Sequence, residues 1–114
     1  MEKKKMDSKA DYLYSAKMEY LFDGIVGLNS VEECRCFFDD ICTVTELIEL
    51  SKRLTAAKML SDECTYTDII EKTGLSTATI SRVNRCLKYG KNGYSEVIRH
   101  LDEKGKTPWD TDND

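Results

Sequence analysis

One glycine constrains this chain more than any other residue. Gly74 sits between two short amphipathic stretches, TYTDIIEK and STATISRVNRCLK. A glycine there supplies the positive φ that a tight turn between two helices needs. Ile69 and Ile70 lie on the first stretch, Leu75 follows the turn, and Ile80 and Val83 recur on one face of the second. Helix, glycine turn and helix, with apolar residues where the two must pack, make a helix-turn-helix over about 66–87. Thr67 is read as the cap of its first helix and Ser76 as the cap of its second.

The second helix turns a distinct set of residues outward. Thr77, Ala78, Thr79 and Ser81 are small or hydroxylic, while Arg82 and Arg85 are basic. Small side chains let a helix sit deep in a major groove, and hydroxyls reach base edges or bridging water. The bases and the helix N-terminus suit phosphate. Charge supports this division. The whole chain carries −4, yet 66–93 holds Lys72, Arg82, Arg85, Lys88 and Lys91 against only Asp68 and Glu71. By contrast, 19–49 has Arg35 as its only base among many acids. That balance excludes a protein coating nucleic acid indiscriminately, while a basic segment on an acidic body can still grip phosphates.

The rest of the chain reads as helix. With 114 residues, 40% of them hydrophobic and no sustained alternation, an all-α domain over 8–101 is expected, with about six helices. Residues 1–7 read as a flexible, lysine-rich N-terminus and 102–114 as a disordered acidic tail. One helix is expected from Ser8 to Ile25. A second is capped by Ser30, with Glu33 completing a capping box. A third, longer one follows Thr43 or Thr45 and carries the stripe Leu47, Leu50, Leu54 and Ala57. A last helix holds Tyr94, Val97, Ile98 and Leu101. The first half has more apolar faces than so small a monomer can bury, which predicts a homodimer.

The segments TELIELSKRLTAAKML, TYTDIIEKTGLS and TATISRVNRCLK together resemble the Trp repressor family. Within it they are similar to the YerC/YecD-like branch of Gram-positive bacteria. The resemblance spans about Phe22 to Leu101 and implies an intertwined homodimer of six-helix chains. It implies a DNA-binding repressor reading a near-palindrome, with half-sites about 34 Å apart. By resemblance, Thr77, Ala78, Thr79 and Ser81 approach bases, Ser76 opens the reading helix and Lys88 contacts phosphate.

The family's namesake holds an aromatic amino acid as corepressor. By resemblance, Arg53 and Arg82 would flank such a ligand and Thr43 would approach its carboxylate. Val83 stands where the namesake has glycine, and Cys86 where it has a ligand-touching serine. Those departures remove room and a hydroxyl partner, which argues against tryptophan. A different metabolite (histidine is one to try, since members of this branch are thought to regulate its synthesis) or none at all remains open.

Other chemistry finds no footing in the sequence. No nucleophile–base pair, phosphate loop or convergent carboxylates mark an enzyme, and no cofactor is expected. Cys34 and Cys36 are two apart on a helix and so diverge, which does not make a metal site. Five cysteines with no secretion signal, and no long apolar run, predict a cytoplasmic protein with reduced thiols and no membrane partner. The expected partners are double-stranded DNA, a second copy of the chain and the possible small-molecule corepressor. A second reading keeps the hairpin as a dimeric module for protein contacts.

Overall fold

In the computed structural model, residues 9–109 are described, and among them there are seven helices and no strand. They are α1 (Lys9–Tyr12), α2 (Ala16–Val26), α3 (Val31–Ile41), α4 (Val44–Ser61), α5 (Tyr66–Thr73), α6 (Thr77–Tyr89) and α7 (Gly93–Glu103). The expected N-terminal arm, 1–7, lies outside the described residues. So do residues 110–114 of the expected tail.

The seventh helix arises where one was expected between Ser8 and Ile25. Ser15 interrupts that stretch because its side chain accepts a hydrogen bond from the Met18 N–H, which starts a fresh helix. At α3 the Ser30 half of the expected capping box forms, while the Glu33 carboxylate reaches one residue further back than the cap. Ser30 Oγ accepts from the Glu33 N–H (3.1 Å), and the Glu33 carboxylate accepts from the Asn29 N–H (2.8 Å).

The chain divides into two compact units between Thr43 and Val44, inside the stretch read as one domain. In the first unit, α1, α2 and α3 contain no buried residue. Tyr20 is 84% exposed and Val26 82%. These helices are amphipathic, but their apolar stripes meet too little apolar surface to be covered.

The second unit has a true core, made of Ala56, Ala57, Met59, Ile69, Leu75, Ile80, Val83 and Ile98. Helix α4 packs against α5, α6 and α7, α5 packs on α6, and α6 on α7. Ala56 and Ala57 let the hairpin approach the α4 backbone closely, and both are completely buried. The stripe read along α4 is therefore core only in its second half. Ile48 and Leu50 are exposed, because α5, α6 and α7 cover only the C-terminal turns. Lys58 ties α4 to α7 through Asp102 (3.0 Å) and also reaches Asp62 (3.2 Å).

The C-terminal stretch departs from a plain tail. Helix α7 continues through Glu103, and Gly105 (φ +70) then reverses the chain. The Gly105 N–H bonds to the Asp102 carbonyl and the Lys106 N–H to the Leu101 carbonyl. That pair of bonds is a Schellman motif, so residues just past 101 are specified by backbone chemistry as much as the helix is.

Candidate nucleic-acid interface

The hairpin is built around Gly74. It takes φ +73, ψ 8, and its N–H closes α5 on the Ile70 carbonyl at 2.8 Å. Thr73, next to it, is buried. Its hydroxyl donates to the Ile69 carbonyl (2.7 Å) and accepts from the Leu75 N–H (3.1 Å), so the turn leaves no buried polar group unmatched there. The cap of α5 is Thr65 rather than Thr67. Thr65 Oγ1 accepts from the Asp68 N–H at 3.1 Å. Ile69 is buried in the core, whereas Thr67 becomes an exposed residue within the helix.

Ser76 caps α6 as expected, accepting from the Thr79 N–H at 3.1 Å. Its own hydroxyl proton goes to Thr79 Oγ1 at 3.1 Å. Beneath the helix, Leu75, Ile80 and Val83 are buried. Above it, Thr77, Ala78, Ser81, Arg82, Arg85 and Lys88 are all exposed, while Thr79 is half-buried. Six of the expected contact residues thus share an open, basic helix face. Ser81 has a partner that sequence spacing does not reveal. The Tyr66 hydroxyl lies 3.5 Å from its Oγ and links the start of α5 to α6.

A hollow of about 260 Å³ opens beside this helix, lined by Arg53, Thr79, Arg82, Val83, Cys86 and Tyr94. Arg53 and Arg82, two of the three expected ligand residues, are brought together. Thr43 is not among the lining residues and belongs to the preceding compact unit. Tyr94 is an addition, since its spacing marks it only as an apolar helix position. Burial pushes its hydroxyl pKa up, Cys86 beside it acts in the same direction, and Arg53 opposes. Tyr94 therefore offers a neutral hydroxyl at ordinary pH. A hollow lined by two cationic side chains, two hydroxyls and the apolar Val83 can hold a small anionic or zwitterionic molecule.

Among the described residues, no group of three or more His, Cys, Asp and Glu side chains gathers around a point. None of their helices is long and apolar enough to cross a membrane.

The Trp repressor protein family profile matches residues 16–102. The chain is 45% identical over 93 residues to the uncharacterised protein YerC of Bacillus subtilis (strain 168), covering 82% of this chain and 89% of that one. Two crystal structures are similar. One is a TrpR-like protein from Eubacterium eligens, with TM-score 0.77 and 46% identity, covering 85% of this chain and 97% of the other. The second is a candidate Trp repressor from Staphylococcus aureus, with TM-score 0.77 and 43% identity, covering 84% and 96%.

Proposed function

Because the chain belongs to the Trp repressor family, we propose that it is a homodimeric, sequence-specific DNA-binding repressor that reads a near-palindromic operator. One observation carries this reading. The Ser76-capped helix α6 stands on a buried apolar base and turns Thr77, Ala78, Ser81, Arg82, Arg85 and Lys88 to solvent. Membership of a regulator family favours a binding protein over a catalyst.

The dimer is supported by what the single chain leaves uncovered. Helices α1 to α3 hold no fully buried residue, and Ile48 and Leu50 on α4 are exposed as well. A second copy of the chain gives those faces a partner. Control by a small metabolite is supported by the hollow beside α6, where Arg53 and Arg82 converge. Val83 and Cys86 in its wall disfavour tryptophan, leaving room for a smaller amino acid or organic acid.

The test is to select DNA from a random pool with the full-length protein, with and without single amino acids. A palindromic site should emerge, its binding should weaken with salt, and one additive should change the yield. Equal binding to selected and scrambled DNA would overturn the reading and leave the hairpin as a surface for protein contacts.

A further inference from the structure

The family match ends at residue 102, yet the chain beyond it is built onto the second unit. After the Schellman turn at Gly105, Thr107 and Pro108 join Leu54, Thr55, Ile98 and Leu101 around an apolar hollow of about 220 Å³. Trp109 comes next and is 40% exposed, so part of its ring is open to solvent and the rest is covered. It borders a shallow hollow with Met59 in the last turn of α4, Cys64 in the connection after it, and Asp68, Glu71 and Lys72 on α5. The segment therefore leaves α7, passes α4 and ends beside the first helix of the hairpin.

That helix needs support. It has eight residues, and only Ile69 and Thr73 are buried. So short a helix gets its stability from tertiary contacts, and its tilt is set by whatever borders it. An indole bordering both the end of α4 and the outer side of α5 limits how one can swing on the other. Any swing of α5 is passed through Gly74 to α6.

We infer that residues 104–109 form a clasp in which Trp109 is the positioning residue for the helix-turn-helix. The inference rests on the DNA-binding reading for its consequence, but not for its geometry. Trp109 is the chain's single tryptophan, so its fluorescence reports the seat directly.

The experiment compares the full chain with Trp109→Ala and Trp109→Phe by hydrogen exchange and by binding to selected and scrambled DNA. In Trp109→Ala, amides of α5 should exchange roughly tenfold faster while those of α7 keep their rates, the size expected for removing one aromatic side chain from its seat. Affinity for the selected site should fall while affinity for scrambled DNA is kept, since phosphate contacts do not need an exact helix tilt. Simple loss of folded protein would lower both equally. Trp109→Phe should restore both readouts. Gly105→Ala, which strains the reversal without touching α5, should reproduce the alanine signature if Trp109→Ala folds poorly.

Unchanged α5 exchange overturns the clasp. Faster exchange with an unchanged ratio of affinities overturns the positioning role, and so does a gain in affinity for both DNAs, which would make the segment a competitor of DNA. If the unaltered chain binds neither DNA, the repressor reading fails while the exchange data still decide the clasp.

Discussion

Thr79 has two neighbourhoods. Its N–H and Oγ1 are engaged by Ser76, and its side chain also borders the hollow that Arg53 and Arg82 line. Replacing it with alanine should relax base preference and leave the helix cap, which rests on Ser76 and a backbone N–H, in place. Selection from a random pool checks this, and an unchanged preferred site would put the reading helix in the wrong register. Lys88 is exposed near the end of α6, with no hydroxyl or aromatic role. Lys88→Ala should weaken binding to every sequence alike and reduce the slope of log affinity against log salt by about 0.9 for each phosphate the lysine neutralises. Residue identity was legible in the sequence where a side chain's chemistry left one option, as at Ser76. It was not legible at Thr65 and Thr67, since both are good caps two positions apart. The choice is made by the hydrogen bond that Thr65 accepts from the Asp68 N–H. Thr73 and Tyr66 were hidden for a related reason, because their hydroxyl partners come from the folded turn and not from sequence spacing.

The elements depend on a few joints. Gly74 has open space around the position of a Cβ, so a substitution there meets no neighbour and only the left-handed φ of +73 opposes it. Gly74→Ala should thus cost about 1–2 kcal/mol. Urea unfolding should show a lower midpoint with an unchanged slope. The α4–α7 joint depends on Lys58. Its hydrogen bond to Asp102 raises its pKa, with Asp62 adding to the effect and desolvation opposing. A raised folded pKa means the stabilisation is complete below the unfolded value, about 10.4, and is lost as pH climbs through the folded one. Stability should therefore fall more steeply above that pH in the natural chain than in Lys58→Met, as followed by chemical unfolding. Helix periodicity made most of the joints readable in advance, and the α1–α2 break and the Schellman turn were not. Both are set by local hydrogen bonds to backbone groups that leave the apolar spacing undisturbed.

At the scale of the whole molecule, the second unit carries the buried core and the first carries exposed apolar helices. A dimer that covers them would make the thermal midpoint rise with protein concentration. Leu50→Lys places a charge on an exposed apolar position of α4 and should abolish that rise while keeping helix content. Sedimentation at several concentrations checks it, and an unaltered dimer would move the interface elsewhere. The surplus of apolar faces was legible in the sequence, but its location was not, because a stripe looks the same whether its own chain or another covers it. Arg82 brings the scales together. It lines the hollow and also stands exposed on the reading helix. Suppose a solute in that hollow changes the grip on an operator by some factor. Linkage then requires the operator to change retention of the solute by the same factor. DNA would itself be an effector of the hollow, and a chromosome rich in sites would act as a reservoir that holds or releases the metabolite.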